Sequence, residues 1–380
     1  AWAPSGKAYF ADWVGGYPLD GKGAIWNMDV ATKTDPVSQE ILALPLSTPL
    51  PKERLLLLLG HRDQRVRINA SLRLDRLGAW DELMSVALDS QRERFARIHA
   101  IWGWGMGLRH GRLSTLRGAA QLLTDADDEI RVQTLKVLSE APVPPLTRLT
   151  LEKEVSDALA EKIVAQLATK NPRLRMQASL TLGKLGIGRT TLTATQVPLR
   201  AFLQDAGADL QMPWLRHGLV SGLAGTQAPA DLLKAAQGND AATATFATLA
   251  LARQRSPLLA QLLTSKHASV LNEAVRAIHD DEGIPAAQPS LAQALGQVPM
   301  PVTALRRVIN QNLREGSPEA LARLLQWLQA QPEGAPLVDE ALQSLLVFEL
   351  PPVLDLVDGT AKRYAKRDRT ALASVLRQHQ

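Results

Sequence analysis

One pattern returns along most of this chain and limits its fold more than anything else does. A helix-length amphipathic segment with an arginine near its start recurs as RVRINASL around Arg67, RFARIHAI around Arg97, EIRVQTLKVL around Arg131, RLRMQASLTLGKLG around Arg175 and WLRHGLVSGLAG around Arg216. Successive anchors are 30 (67 to 97) to 44 (131 to 175) residues apart, the interval of a unit of two helices and two turns. One such pair cannot bury its apolar face alone, so consecutive pairs must stack, and the expected product is a row.

The series continues less regularly through TATFATLALAR near Phe246, VLNEAVRAI near Glu273, ALRRVINQNL near Arg306 and LARLLQWLQA near Trp327, with Pro257, Pro289, Pro318 and Pro332 marking turns. The first pair is expected at Glu53–Gly60 and Gln64–Gly78, with Val66, Ile68, Ala70, Leu72, Leu74 and Leu77 as its buried stripe and Gly78 as its C-terminal cap. PVPP at 142–145 and GIGRTTLTATQ from Gly186 read as longer connections between repeats. Few aromatics (4 %) and few β-branched residues favour helix over sheet. The fold class is therefore mainly α, a HEAT/armadillo-like α-α superhelical solenoid.

Residues 1–46 differ. KAYFADWV (7–14) and AIWNMDV (24–30) read as strands joined by the turn GGYPLDGKG, a β-hairpin whose Trp2, Phe10, Trp13 and Trp26 need another surface to cover them. The expected division is a hairpin segment over 1–46 and helical repeats over 47–380.

The chain has no cysteine, which removes disulfides, thiolate metal sites and a cysteine nucleophile. Its longest apolar run, Leu55–Leu59, is far short of the roughly 18 residues of a membrane span. It opens AWAPSG, with neither an initiator Met nor a signal-peptide pattern, and reads as a fragment of something longer. Net charge is +5, and residues 51–120 hold 13 Lys and Arg against 7 Asp and Glu, so the excess is local. A basic stretch of this kind meets an acidic partner, nucleic acid or anionic lipid, or is simply a solvated face.

The hairpin carries a resemblance. Tyr9, Phe10, Asp12 and Trp13, then Gly21, Lys22, Gly23, Ile25 and Trp26, resemble the two strands that close the last β-propeller blade of bacterial membrane-bound glucose/sorbosone (PQQ-dependent-like) dehydrogenases, with Ala24 where that family usually has Arg. HRDQRVRINASLRLDRLG and RIHAIWGWG resemble the family's opening helical repeats, so the likeness covers about the first 110 residues. It implies an exported or periplasmic parent whose quinone chemistry lies in blades outside these residues, leaving this segment without cofactor, metal or catalytic residue of its own.

The candidate binding surface is Arg65, Arg67, Arg97, His99, Trp102, Arg131, Arg175 and Arg216. The arginines would form an anion-binding ladder, or else make Asp–Arg and carbonyl contacts between repeats, as Asp63 and Arg67 at i, i+4 suggest. His99 and Trp102, at i, i+3, would share a pocket or pack between repeats. His61, Asp63, His99 and His110 lack the spacing of a zinc site. Gly103, Gly105 and Gly107 weaken their helix unless bulky indoles pack against them. No phosphate loop or nucleophile elbow is present. The sequence thus points to a non-catalytic scaffold that docks a protein, either its own propeller or another subunit. The rival is a HEAT-type DNA glycosylase-like enzyme with a basic groove.

Overall fold

The structure is a computed structural model and describes residues 3, 7–12, 23–29, 35–111, 116–140, 153–187, 197–281 and 283–378. It is mainly helical and divides into two compact units, 1–163 and 164–380.

In the first unit, strands Ala8–Asp12 and Ala24–Met28 pair antiparallel, with Phe10 opposite Trp26. Both aromatics are about half exposed. The expected turn, Trp2 and Trp13 lie outside the described residues. A helix, Pro36–Ala43, occupies the end of the stretch read as hairpin segment. It starts where the Asp35 carboxylate accepts the Ser38 N–H at 2.9 Å and buries Ile41. Eight residues are too few for an apolar period to emerge, which is why the sequence pattern begins only after Pro51.

The helices Lys52–Leu58 and Gln64–Arg76 form the first expected pair. Asp63 caps the second, and Gly78, at φ 69°, closes it: the Gly78 N–H reaches the Asp75 carbonyl at 2.9 Å and the Ala79 N–H the Leu74 carbonyl at 3.0 Å. The buried face runs through Val66, Ala70 and Leu74, while Ile68 and Leu77, expected inside, are exposed. Alternation is a strand's period; on a helix, two residues are a turn of about 200°, so Ile68 faces away from Val66.

The helices Trp80–Leu88, Arg94–Arg109, Leu116–Leu122 and Asp128–Glu140 follow. The glycines of Arg94–Arg109 admit neighbours. A Cβ on Gly107 would stand 2.4 Å from the Trp80 indole, one on Gly105 2.6 Å from Val137, and one on Gly103 3.0 Å from Leu83. The indole explanation thus holds for Gly107, and aliphatic side chains fill the other two positions.

In the second unit, Pro172–Leu185 and Pro213–Thr226 approach backbone to backbone. A Cβ on Gly225 would lie 2.2 Å from the Gly183 carbonyl oxygen, and Ser179 Oγ donates to the Gly218 carbonyl at 2.9 Å. Ala241–Arg253, Ala268–Asp280, Val302–Glu315 and Pro318–Gln329 each pack on the helices before and after them. After Val338–Leu346 the chain forms a strap that turns back at the Leu354–Ala361 bridge and ends in the helix Arg369–Gln378. Among the described residues no helix is long and apolar enough to cross a membrane.

Candidate functional site

The five anchor arginines hold one structural position, the fourth residue of their helices: Arg67 of Gln64–Arg76, Arg97 of Arg94–Arg109, Arg131 of Asp128–Glu140, Arg175 of Pro172–Leu185 and Arg216 of Pro213–Thr226. A side chain there leans back over the preceding turn, where carbonyls and carboxylates collect. Arg67 Nη1 donates to the His61 carbonyl at 2.7 Å and the Arg62 carbonyl at 3.0 Å. Arg97 Nε donates to the Ala87 carbonyl at 2.8 Å, and its Nη2 pairs with Asp125 in the turn before the next anchor helix. Arg175 grips Asp209 with both terminal nitrogens, at 2.9 and 2.6 Å, and reaches the Phe202 carbonyl at 3.2 Å. Arg216 donates to the Leu210 carbonyl at 2.9 Å, and Arg131 pairs with Asp128.

Arg67, Arg97 and Arg175 are buried, so their guanidiniums serve as ties between turns and helices. One detail differs from the sequence pattern. Asp63 pairs with Arg65, at 2.8 Å, and not with Arg67; that contact holds the Asp63 carboxyl down at about 2. Arg65 also donates to the Ala3 carbonyl at 2.9 Å.

Other cations of the basic stretch are engaged in the same way. Arg54 pairs with Glu40, Arg62 with Asp35, Arg94 with Asp127, Arg109 with Glu140 and Lys52 with Glu82. Arg73, which the sequence pattern did not single out, is buried and donates to the carbonyls of Leu44, Pro45, Leu46 and Thr48, pinning the proline-rich link that precedes the first pair. Phosphate binding requires cations free to replace counterions, and these are occupied.

His99 and Trp102 do touch, ring centroids 4.7 Å apart and edge-on. Trp102 Nε1 donates to Gln133 Oε1 at 2.8 Å. His99 is buried, its Nδ1 has no hydrogen-bond partner, and burial together with the nearby Arg67 charge pushes its imidazole down to about 4. It is neutral at physiological pH and closed off from solvent. Of the four metal-capable residues, His61 and Asp63 meet only through the backbone, the Asp63 N–H donating to His61 Nδ1 at 3.1 Å; His61 Nε2 faces Asp35 at 3.1 Å and His110 faces Asp75 at 3.9 Å.

A denser polar cluster lies where no motif was recognised. His279 Nδ1 meets Asp280 Oδ1 at 2.7 Å, and its Nε2 meets Asn310 Nδ2 at 3.0 Å. Asn310 donates to both oxygens of Asp355 at 2.9 Å. Arg314 donates to Asp355 at 2.8 Å, to Asp358 at 2.7 Å and to the His279 carbonyl at 2.5 Å, while Arg307 holds Asp280 with two bonds of 3.0 Å. Burial works to raise Asp355, but hydrogen bonds from Arg314, the Asp358 N–H and Asn310 outweigh it and hold the carboxyl well below the usual range. This network fastens the strap to the helices Ala268–Asp280 and Val302–Glu315. The signal in the sequence was slight: Asn310 and Arg314 at i, i+4, and a D-x-x-D-G-T turn some forty residues later.

Set against known proteins, the chain matches no family model and no curated protein. Solved structures do match. A mutant of Kap121p superposes with a TM-score of 0.51 at 13 % identity, over 82 % of this chain and 39 % of its own. A designed armadillo repeat protein matches at 14 % identity and TM-score 0.25, over 78 % of this chain and all of its own. The fold is a HEAT/armadillo-type helical repeat. In the first unit Arg67, His99 and Trp102 come together, while Arg97 reaches on to Asp125 and Arg131 pairs with Asp128; in the second, Arg175 reaches forward to Phe202 and Asp209 and Arg216 back to Leu210. Neither histidine cluster offers acid–base chemistry, because His99 and His279 are buried and both ring nitrogens of His279 are already engaged.

Proposed function

We propose that this chain is a non-catalytic docking scaffold, the helical-repeat region of a larger sugar-dehydrogenase-like protein that is exported or periplasmic. The observation that carries the reading is the hairpin. Phe10, Trp26 and Met28, on one face of a two-stranded sheet, are 51–57 % exposed, an aromatic and aliphatic surface of the kind that marks a protein contact. Such a hairpin is marginal by itself and gains stability when another surface or sheet covers it. The resemblance of these strands to a closing propeller blade names the cover: the propeller of the same protein. The helical array supplies a rigid mount, and its buried cations act within it. The anchor arginines are held by internal carboxylates and carbonyls, so no step through a quinone cofactor is assigned to them.

Kap121p, with which the fold superposes, is a karyopherin and has been crystallised bound to a protein, the SUMO protease Ulp1p. That supports the idea that an array of this kind can present a protein-binding surface. The test is titration of the chain with a separately produced propeller of the dehydrogenase type, followed by calorimetry. Binding that Phe10→Ser with Trp26→Ser weakens at least about tenfold fits the loss of two aromatic anchors. No binding, or binding indifferent to both substitutions, refutes the reading, as does sugar-dependent dye reduction by this chain alone after incubation with the quinone.

A further inference from the structure

The end of the second unit carries a surface that the scaffold reading does not use. Between the helices Val338–Leu346 and Arg369–Gln378 the strap exposes Leu350 (83 %), Val353 (70 %) and Leu354 (60 %), aliphatic side chains that a folded chain normally covers. Their backbone is stiffened by Pro351 and Pro352 and fastened from behind through the buried Asp355. The side chains are thus held out by a fixed frame.

Directly beside them is a dense run of positive charge. Residues 361–369, AKRYAKRDR, contain five cations, Lys362, Arg363, Lys366, Arg367 and Arg369, against one anion, Asp368, a net +4. Two of the five are structural: Arg367 stacks 4.5 Å over the Phe348 ring and donates to the Phe348 and Leu313 carbonyls, and Lys362 lies 3.5 Å from Asp358. Arg369 pairs with Glu349. Arg363 and Lys366 are exposed and form no ion pair among the described residues. Apolar and basic groups share one groove of about 640 Å³, in which Leu350, Pro351 and Val353 lie with Lys362, Tyr364 and Lys366.

We propose that this groove and its rim are a peripheral docking site for an anionic lipid bilayer. The chemistry selects that partner. Exposed branched aliphatics fit the acyl boundary just beneath the headgroups, and unpaired Lys and Arg fit the negative headgroups above it. A protein partner would call for exposed aromatic anchors at the centre of the patch, and a nucleic acid for a row of stacking aromatics; the aromatic in this groove, Tyr364, is half-buried with Arg367 over its ring, 5.8 Å from the centroid. The contact is interfacial, since no described helix spans. It is independent of the hairpin, which lies in the other unit.

Each Lys or Arg at an anionic surface contributes about fivefold to partitioning. The whole chain, spun down with phosphatidylcholine vesicles containing about 30 mol % phosphatidylserine, is expected to sediment at low salt and not with phosphatidylcholine alone. Arg363→Gln with Lys366→Gln should lower the partition coefficient about twenty-fivefold. Leu350→Ser with Val353→Ser should lower it at least about tenfold. All four residues are exposed, so the circular dichroism spectrum should stay unchanged. The proposal is overturned if the anionic vesicles bring down no protein, if neutral vesicles bring down as much, or if the leucine and valine substitutions leave binding intact. Capture by immobilised polyglutamate in place of vesicles would replace it with an acidic polypeptide partner.

Discussion

If the anchor arginines are internal ties, the one that grips a fully buried carboxylate should behave as half of an ion pair. Arg175→Met removes both bonds to Asp209, at 2.9 and 2.6 Å, and leaves that carboxylate, only 1 % exposed, without a charged partner. Breaking a buried pair from one side costs about 3–5 kcal/mol, because the stranded charge has been taken out of water. Asp209→Leu strands the guanidinium and should cost a similar amount. Arg175→Met with Asp209→Leu removes both charges and fills their volume, so the double variant should return to within about 1 kcal/mol of the wild type, an interaction energy of at least about 5 kcal/mol in the double-mutant cycle. For a unit the size of 164–380, the single variants should melt roughly 6–20 °C lower. Arg216→Met sits at the same helical position but gives up one carbonyl contact at 2.9 Å on a half-buried side chain, and should cost only about 1 kcal/mol. Urea denaturation followed by far-ultraviolet circular dichroism measures all four. A cost below about 1 kcal/mol for Arg175→Met, or a double variant as unstable as the sum of the singles, would refute the reasoning.

Three further outcomes follow from the same geometry. Gly107→Ala should destabilise by about 1–3 kcal/mol despite alanine's better helix propensity, since its Cβ would fall 2.4 Å from the Trp80 indole; a thermal melt at or above the wild-type temperature would contradict this. His99 is neutral in the fold down to about pH 4, whereas its unfolded imidazole takes a proton below about 6.5, so stability should fall as pH drops through that window, by at most about 3 kcal/mol. His99→Gln should lack that part of the slope, and denaturation curves that fall identically for both proteins would exclude it. Asp355→Ala should release the strap while leaving the repeats folded, so trypsin should cut at Lys362 and Arg363 far faster with little change in helical signal; unchanged cleavage would show that the network does not fasten the strap.

The repeated helices were legible because their signal is redundant: each carries its own apolar period and the unit recurs, so Phe246, Glu273, Arg306 and Trp327 all mark observed helices. The two strands of the hairpin were equally plain from the glycine-rich turn between them, though not their register, which sets Phe10 opposite Trp26. The buried face was less so. In Gln64–Arg76 the sequence offers apolar residues at alternate positions, and the inside is instead completed by Arg67, Ser71 and Arg73, whose hydrogen bonds to distant carbonyls leave no mark on hydropathy. The same limit hid the network of His279, Asn310, Arg314 and Asp355. Its members lie up to 76 residues apart, from 279 to 355, and only folding gives them a common geometry.

The central claim is that each helical pair is held by its neighbours along the row and by little else. Phe246 is fully buried in Ala241–Arg253, the helix that packs against Pro213–Thr226 and Ala268–Asp280. Phe246→Ala should cost about 3–5 kcal/mol where the cavity opens. Native-state hydrogen exchange on the whole chain should then show faster amides in those three helices and unchanged protection in Pro318–Gln329. Acceleration shared equally by every helix of the unit would mean a single cooperative core, and would contradict the account.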